Sequence, residues 1–463
     1  MPSRPYLIPV FNGERRELEI ESLADGPDGL AHVGGYVVLV RGALPGERVQ
    51  GEITSAARKF GRARSLSVLD ASPDRVRPRC RHFLECGGCH WQHASYAAQL
   101  TYKQARIEKE LRYALADAMP VVQPTAPLPD PFGQRNKVAL HLQHDRDGTL
   151  VPCLHPLREI GLMPVRECPT SQGDALRLAF TAVQALNTLN LNVFDPEYGT
   201  GVLRSVLVRR AAASGQSHLI VVAASSEVRG LAQLVPELQA RGATTVSLNV
   251  NDGPISQLLG AETIVLEGPR RIREEIDGTG YLISPNAFFQ TSPAGALVLL
   301  REVQRFLKPT LDDRLLDLYC GGGLFALALA RTAGSVLGIE ESPVGIGDAM
   351  AAQKQNRQRN VQFLQGPVEA MLRRCKDGAM PTPTLAVLDP PRQGCSDSVL
   401  RELAALGPRK IAYVACDPSA LSRDLPILHE LGYRTKTVLP VDMFPQTSHV
   451  EAVACLERTT ANR

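Results

Sequence analysis

One stretch decides the fold: Leu315-Leu316-Asp317-Leu318-Tyr319-Cys320-Gly321-Gly322-Gly323. The apolar residues before the glycines predict a buried parallel strand, and the sequence LFALALAR at 324–331 predicts a helix. A strand, a glycine-rich turn and a helix together open a doubly wound nucleotide-binding fold. The glycines let the backbone turn sharply and approach a ligand closely. Because such turns also occur without a ligand, the prediction depends on the motifs that follow.

Further predicted strands follow, and three of them end in side chains suited to chemistry. The second strand ends at Glu340, about 20 residues after the glycine loop, where this fold places a ribose-binding carboxylate. Asp389 follows the fourth strand, and Cys416 follows the fifth. Ligands of such sheets bind outside the carboxyl ends of the strands. We therefore expect these three side chains and the glycine loop to border one cleft.

Length and composition indicate a soluble protein of several domains. The 463 residues are enough for two or three domains, and 21% charged with 44% apolar residues is an ordinary soluble composition. The net charge of +3 supports no global inference about nucleic acid. Between Arg58 and Arg81, however, eight basic residues stand against two acids. That segment is either a phosphate-contacting face or a solvated basic surface.

Neither a signal peptide nor a membrane-spanning segment is recognised in the chain. A bilayer requires a run of about 20 apolar residues, and no such run occurs in the sequence. The expected localisation is therefore cytoplasmic. Ten cysteines in a cytosolic protein argue against a disulfide framework and predict metal binding or catalysis for some of them.

Residues 10–70 are predicted to form a small β-barrel. Short strands alternate there with turn signals such as Gly26-Pro27-Asp28-Gly29 and Leu44-Pro45-Gly46-Glu47. The runs at 28–40 and 43–49 resemble a TRAM domain, an OB-like barrel often attached to RNA-modifying enzymes. Barrels of this kind bind nucleic acid through basic and stacking faces. A β module used only for packing is the alternative.

Residues 71–285 are predicted to form a central domain of mixed α+β structure with an antiparallel sheet. In it Cys80, Cys86 and Cys89 make the spacing C-x5-C-x2-C, which can wrap one metal centre if a fourth soft ligand is present. Cys168, followed by a proline after a polar turn, is the preferred fourth ligand. Cys153, inside a predicted strand, is its rival.

The metal itself has two candidates on the sequence alone. The cysteine spacing favours a 4Fe-4S cluster, whereas zinc could also use nearby histidines as ligands, namely His82, His90 and His93. Buried thiols without any metal are the remaining alternative. Arg135 and Lys137, in the same central domain, either touch a phosphate backbone or lie on a solvated surface.

Taken together, the motifs resemble the RNA (uracil-5-)-methyltransferase family. The residues that carry the resemblance are Phe288-Phe289-Gln290, Asp317 to Gly321, Asp389-Pro390-Pro391-Arg392, Ala415-Cys416-Asp417-Pro418 and Asp442 to Glu451. The barrel and the four cysteines resemble the iron–sulfur branch of that family, represented by the 23S rRNA uridine C5-methyltransferases. The resemblance covers nearly the whole chain. It implies an α/β fold in which residues 286–463 form a class I (Rossmann-like) methyltransferase domain.

The resemblance also implies a reaction, methyl transfer from S-adenosyl-L-methionine to C5 of a uridine in RNA. Cys416, already a candidate nucleophile at a strand end, would attack C6, and Glu451 would remove the C5 proton. The implied cofactor-binding residues are Gln290, Tyr319, Gly321, Gly323, Glu340 and Asp389. The implied cluster ligands are Cys80, Cys86, Cys89 and Cys168. The expected substrate is 23S rRNA, with a tRNA loop uridine as the alternative, and the protein is expected to be a monomer.

The sequence departs from the family pattern at four positions. Leu324 stands where an amide side chain commonly helps to hold the cofactor, and Pro367 where a polar residue usually meets the adenine. Asp417 replaces the usual Asn after the nucleophile, which predicts a raised thiol pKa because a nearby negative charge disfavours thiolate. Ser292 replaces an Asn after the Phe-x-Gln motif.

Two alternatives to the uridine methyltransferase remain open on the sequence. One is an RNA-binding iron–sulfur protein whose methyltransferase domain is inactive, a reading that Leu324 and Pro367 motivate. The other is an amino-methyltransferase, because the Asp-Pro-Pro sequence also occurs in that class. An amino-methyltransferase would not need Cys416.

Overall fold

The computed structural model describes residues 8–24, 26–157, 160–254, 257–374 and 382–459. Three large sheets and one hairpin follow one another along the chain. Within the described part of the chain, no helix combines the length and the apolar character required to cross a membrane.

The first sheet has six strands and lies at the N-terminus, where a barrel was predicted. Its strands are β1 (Arg15–Glu19), β2 (Ser22–Leu23), β3 (Gly29–Val33), β4 (Tyr36–Arg41), β5 (Arg48–Ala56) and β6 (Gly61–Asp70). The order is β1-β5-β6-β4-β3-β2, and only β4 and β6 pair in parallel. Tyr36, Val38 and Val40 are buried while their neighbours are not, the period-two pattern of a sheet with one buried face.

The helix α1 (Tyr96–Leu115) follows the first three cysteines but packs against the last sheet of the chain. The side chain of Ser95 accepts a hydrogen bond from the Ala98 amide (3.2 Å) and caps its N-terminus. Ile107 and Leu111, one turn apart, are buried in the core of the last sheet. A short strand, β7 (Val121–Val122), then joins the edge of that sheet. Helix α1 and strand β7 both lie within residues 71–285, the predicted central domain. In the structure, however, α1 packs on the C-terminal sheet and β7 is an edge strand of it.

The second sheet has seven strands and is almost wholly antiparallel, with one parallel pair, β12 and β13. Its strands are β8 (Lys137–His144), β9 (Leu150–Leu154), β10 (Met163–Pro164), β11 (Leu203–Arg210), β12 (Ser217–Ala223), β13 (Thr245–Val250) and β14 (Glu262–Glu267). Two helices that the sequence analysis did not predict, α2 (Gly173–Asn187) and α3 (Leu231–Ala240), pack on one face. Apolar side chains that alternate along the strands form the sheet face that the two helices cover.

A hairpin of β15 (Ile272–Ile276) and β16 (Thr279–Ile283) connects the second sheet to the last one. Tyr281 of the hairpin is fully buried, and its hydroxyl donates to the carbonyl of Leu324 (2.9 Å). The hairpin is thereby tied to the helix that follows the glycine loop.

The last sheet has eight strands in the order β19-β18-β17-β20-β21-β23-β22-β7. Its remaining strands are β17 (Arg314–Leu318), β18 (Ser335–Glu340), β19 (Val361–Gln365), β20 (Leu385–Leu388), β21 (Lys410–Ala415), β22 (Tyr433–Val441) and β23 (Glu451–Arg458). Strands β17 to β21 are parallel, whereas β23 runs antiparallel to both of its neighbours. This confirms the predicted α/β sheet.

In addition to α1, six helices of the described chain accompany this sheet, and apolar cores lie on both of its faces. They are α4 (Pro293–Leu307), α5 (Leu324–Leu329), α6 (Pro343–Gln355), α7 (Val368–Arg374), α8 (Asp397–Leu406) and α9 (Pro418–Glu430). Because both faces are covered, the strands read as continuous apolar runs, and chemistry is confined to the strand ends.

The tight turn before β18 should not tolerate a side chain. A Cβ at Gly334 would lie 1.9 Å from the carbonyl oxygen of Leu311, and backbone cannot move aside as a flexible side chain can. We expect Gly334→Ala to cost about 1–3 kcal/mol, the usual cost of overpacking, and to lower the Tm measured by calorimetry. Gly173→Ala is the matched control, since a Cβ there would meet nothing within 4 Å. Equal Tm values for the two variants would contradict this account of the turn.

Candidate active site

The glycine loop after β17 borders a cleft. Gly321 and Gly323 have φ angles of +52° and +85°, which residues with side chains rarely adopt. A Cβ on Gly321 or Gly322 would meet no atom within 4 Å, so there is open space beside the backbone. Tyr319 also has a positive φ of +62°. In a non-glycine residue such a conformation is uncommon, and these conformations cluster at functional sites.

Glu340, at the end of β18, contacts the glycine loop directly. Its Oε2 accepts a hydrogen bond from the Gly321 amide (3.1 Å), and its Oε1 accepts one from the Ser342 amide (2.7 Å). Helix α6 begins immediately afterwards and packs closely, since a Cβ on Gly345 would lie 3.2 Å from the Gly321 carbonyl. Two of the predicted cofactor-binding residues, Gly321 and Glu340, are therefore adjacent, and the carboxylate is held in one orientation.

Two further carboxyl groups, the buried Asp317 and the partly buried Asp389, lie near the glycine loop. Asp317 of β17 accepts a hydrogen bond from the Ala326 amide through Oδ2 (2.8 Å), while its Oδ1 is buried without a partner among the described residues. Burial, followed by the charges of Asp389 and Glu340, raises the pKa of Asp317 well above its ordinary value. Burial, followed by the charge of Glu340, raises the pKa of Asp389 to about 7. A concentration of acidic groups of this kind favours a cationic ligand.

Sequence reasoning gave Asp317 no role of its own. The residue lies inside an apolar strand, so the pattern that predicted the strand also concealed its single polar side chain. The signal was nevertheless present, because an acid in a strand buried on both faces requires a partner or a function.

The pairing of β21 with β23 places Cys416 opposite Glu451. The last paired residues are Ala415 and Ala452, and antiparallel pairing brings the next residue of each strand face to face. Glu451 is 4% exposed, whereas Cys416 is half-buried. Burial, then the charges of Glu451 and Asp389, raises the pKa of the Cys416 thiol to about 11. Burial, then Asp389, raises the pKa of Glu451 to about 8.

Gln290 lies in the segment between β16 and α4, which the second sheet holds in place. The side-chain Nδ2 of Asn136 donates to the carbonyl of Gln290 (3.3 Å), and the backbone N–H of Asn136 donates to the carbonyl of Thr291 (2.8 Å). Gln290 itself is buried beside Phe289, whose ring packs against the hairpin. Leu324, one of the departures from the family pattern, packs into the same apolar core as Phe289.

A cavity of ≈ 460 Å³ lies away from the glycine loop. It is lined by the four predicted ligands Cys80, Cys86, Cys89 and Cys168. All four are half-buried, whereas Cys153 is fully buried in β9 and does not line the cavity. Burial is the largest effect on Cys80 and raises its pKa to about 11. Among the described residues, no group of three or more cysteine, histidine or acidic side chains is arranged to hold a metal ion. The structure thus brings the four cysteines to one cavity, without arranging them around a single metal ion in the part of the chain that it describes.

Of the three histidines considered as zinc ligands, only His82 lines this cavity. The Nδ1 atom of His90 instead lies 3.3 Å from the hydroxyl of Ser448, in the loop that precedes Glu451. His93 is buried, and burial, then the charge of Arg75, lowers its pKa to about 3. Both of its ring nitrogens are without a hydrogen-bond partner in the described structure. Cys168 is therefore better placed as a fourth ligand than His90 or His93.

Comparison with known proteins agrees with this geometry. Residues 278–459 match the family model described as tRNA (uracil-5-)-methyltransferase, and residues 9–66 match the TRAM domain. The chain is 32% identical to an uncharacterized RNA methyltransferase of Halalkalibacterium halodurans, over 97% of this chain and 98% of that protein. This chain belongs to the RNA (uracil-5-)-methyltransferase family. A second uncharacterized RNA methyltransferase, from Gloeobacter violaceus, is 33% identical. The match covers 97% of this chain and 98% of the Gloeobacter protein.

A solved structure resembles the methyltransferase over nearly all of its length. It is the tRNA (uracil-54, C5)-methyltransferase of Pyrococcus abyssi in complex with S-adenosyl-L-homocysteine. The TM-score is 0.73 at 25% sequence identity, and the match covers 95% of this chain and 99% of that one. The predicted family, the methyltransferase fold with its TRAM domain and the dependence on S-adenosylmethionine are thereby confirmed.

Asp417, which replaces the family's usual Asn, has a structural partner of its own in this methyltransferase. Its Oδ1 accepts hydrogen bonds from the amide (3.0 Å) and the hydroxyl (2.8 Å) of Ser419 and so caps helix α9. The charges that raise the pKa of Cys416 belong to Glu451 and Asp389. Asp417, which was expected to raise the pKa of the thiol, is not among those charges.

Glu451→Gln should stabilise the methyltransferase increasingly as the pH rises. The ordinary pKa of this group is 4.5, and in the folded protein it is about 8, so the folded state holds the proton more tightly between these values. The part of the free energy of unfolding that comes from this proton is lost as the pH rises from 4.5 to about 8. Glutamine carries no proton to lose. The Tm of the variant minus that of the wild type, from calorimetry, should therefore grow between pH 5 and pH 8.5.

The control for this measurement is Glu430→Gln, at an exposed position on α9. Its Tm difference from the wild type should not depend on pH in the same way. A Glu451→Gln difference that is constant with pH would contradict the burial of an ionisable group at this position.

Proposed function

We propose that this methyltransferase transfers a methyl group from S-adenosylmethionine to C5 of a specific uridine in RNA, through a covalent Cys416–C6 adduct and with Glu451 as the base. The observation that carries the proposal is the position of Cys416 opposite Glu451, at the carboxyl edge of the parallel strands. A nucleophile and a carboxyl group there can act on the same ring. Family membership and the TRAM domain support RNA as the substrate class.

The cleft beside the glycine loop supports binding of S-adenosylmethionine. It offers open space at Gly321, a fixed carboxylate at Glu340 and the unpaired Oδ1 of Asp317. S-adenosylmethionine supplies a methyl group made electrophilic by a positively charged sulfur, and that charge suits an acidic cleft. In the proposal Glu340 takes the ribose hydroxyls. Gln290, Tyr319, Gly321, Gly323 and Asp389 line the rest of the cofactor site.

Cys416 begins the proposed reaction because C5 of uracil is a weak nucleophile on its own. The half-buried thiol first gives its proton to solvent. Its sulfur then bonds to C6, and the π electrons of the C5–C6 bond move onto C5 and O4. C5 can then form a bond to the methyl carbon while the methyl–sulfur bond breaks. The electron pair of that bond leaves with S-adenosylhomocysteine.

Glu451 completes the proposed reaction. Its carboxylate takes the proton from C5, the C–H electrons form the C5–C6 double bond, and the C6–S bond breaks to return the Cys416 thiolate. Burial raises the pKa of Glu451 to about 8, far closer to neutral pH than the ordinary value of 4.5. A general base is most effective when its pKa lies near the operating pH.

Our first candidate for the RNA is 23S rRNA, because the TRAM domain and the cysteine cavity resemble the rRNA branch of the family. A tRNA loop uridine is the second candidate, since the structure that matches 95% of the chain is that of a tRNA (uracil-54, C5)-methyltransferase. In either RNA the target base must leave its stack, because Glu451 is buried and Cys416 half-buried. A loop or single-stranded segment meets that requirement.

We also propose that Cys80, Cys86, Cys89 and Cys168 hold a 4Fe-4S cluster. A single metal ion needs its ligand atoms about 2.0–2.3 Å from one centre, and no such group occurs among the described residues. A four-iron cluster takes one thiolate on each iron, so its ligands lie further apart, around a cavity. The methyl transfer involves no net redox change, and the role we propose for the cluster is structural.

Two substitutions should separate the steps of the proposed reaction. Cys416→Ala should abolish tritium release from RNA labelled at C5 of uridine, because no adduct can form. Glu451→Gln should instead accumulate a methylated protein–RNA complex that survives denaturing electrophoresis, since the adduct cannot lose its C5 proton. Cys455→Ala, in β23 outside the cleft, should behave as the wild type does.

Two outcomes of that experiment would contradict the proposal. Methyl transfer that continues in Cys416→Ala would favour an amino-methyltransferase. RNA binding by the wild type without any tritium release would favour an RNA-binding protein with an inactive methyltransferase domain.

The cluster can be tested by absorbance. Protein purified without oxygen should show a broad visible band, and Cys86→Ser should lose it because one iron loses its ligand. Cys153→Ser should keep the band, since Cys153 does not line the cavity. A colourless wild-type protein that contains zinc would contradict the cluster.

A further inference from the structure

The loop that leads into Glu451 is held mainly by parts of the chain far from it in sequence. This connecting loop, residues 442–450, joins β22 to β23. Within it Gln446 has a φ of +69°, although it is not a glycine. Such a conformation persists only when the surrounding structure holds it.

Helix α1 supplies two cations to the connecting loop. The ammonium group of Lys103 pairs with the carboxylate of Asp442 at the start of the loop and also donates to the carbonyl of Phe444 (3.0 Å). Arg106 donates to the carbonyl of Ser448 (2.9 Å), near the end of the loop. The side chains of Lys103 and Asp442 are both fully buried. Both ends of the connecting loop are therefore attached to one helix.

Gln99, four residues before Lys103 on α1, holds the strained residue in the middle of the loop. Its Oε1 accepts from the Gln446 amide (2.9 Å), and its Nε2 donates to the Gln446 side chain (3.1 Å). The carbonyl of Gln446 accepts from the amides of His90 (2.8 Å) and Trp91 (3.0 Å), just after the cysteine pair. Gln446 is thus bonded through its amide, its carbonyl and its side chain.

The three helix residues share one face, because positions three and four apart on a helix are neighbours. A buried ion pair such as Lys103–Asp442 is seldom more stabilising than apolar residues of the same volume. What it does provide here is a fixed position for the loop, and the loop ends at Glu451. Cys416, by contrast, follows β21 and has no hydrogen bond to α1 among those of the described residues.

We propose that Gln99, Lys103 and Arg106 are positioning residues for Glu451. The inference rests on the proposed function, in which Glu451 takes the C5 proton while the C6–S bond breaks. The three residues act through the connecting loop, so their loss slows proton removal and RNA release more than it slows adduct formation or methyl transfer. Errors of about 1 Å in the position of a reacting group can cost 100-fold in rate.

The test uses the full-length protein, RNA carrying the target uridine and S-adenosylmethionine labelled in its methyl group. We expect Arg106→Met and Gln99→Leu to release methylated RNA about 10- to 100-fold more slowly and to accumulate the methylated adduct on denaturing gels. Arg106→Lys, which keeps a donor, should restore release. Arg112→Met, at an exposed position on the same helix, should match the wild type.

The ratio of adduct to released RNA separates positioning from general damage. Lys103→Met can fail to fold because it leaves the buried carboxylate of Asp442 without its cation. The two other variants therefore carry the test, with folding checked by circular dichroism. Adduct and release that fall by the same factor in Arg106→Met and Gln99→Leu would overturn the inference. If Glu451→Gln accumulates no adduct either, the proposed function fails, and this inference fails with it.

Discussion

One reversed strand determines what the C-terminal sheet can do. Strands β17 to β21 are parallel, and only their carboxyl ends face the cleft. Because β23 runs antiparallel to β21, its first residue rather than its last lies at that edge. The acid at the start of β23, Glu451, therefore meets the thiol after β21, Cys416. A parallel strand in the same position would carry Glu451 to the opposite edge of the sheet.

The same edge concentrates acidic groups that are costly to bury. Asp317 and Glu451 are buried and Asp389 is partly buried, and loss of solvation is the largest cause of the raised pKa of each. Loss of solvation favours the neutral form of each of these carboxyl groups. A positively charged ligand beside them would lower these pKa values again and favour the carboxylates. The acids at this edge thus suit a cationic cofactor.

Elements from different parts of the chain meet around this edge. Helix α1 comes from the region before the second sheet, yet it packs on the last sheet and contacts the loop before Glu451. The backbone that follows Cys89 contacts the same loop through Gln446. The second sheet holds the segment of Gln290 through Asn136. The cleft is consequently a joint product of regions that the sequence presents as separate domains.

The sequence by itself determined the C-terminal sheet, the glycine loop, the acid after β18 and the two candidate catalytic residues. The sheet, the glycine loop, the acid and Cys416 are local features, in which an apolar run predicts a strand and the residue after it lies at the strand end. Glu451 was named through the family resemblance of the motif at 442–451. Only the tertiary structure decided the partners: that Cys416 lies opposite Glu451, that four cysteines line one cavity, and that Lys103 pairs with Asp442. Asp417 is a further example. In sequence it is simply the residue after the thiol, and only the structure shows that it caps α9. The reason is physical: strand register and helix packing bring together residues from tens to hundreds of positions apart, and spacing along the chain does not record their distance in space.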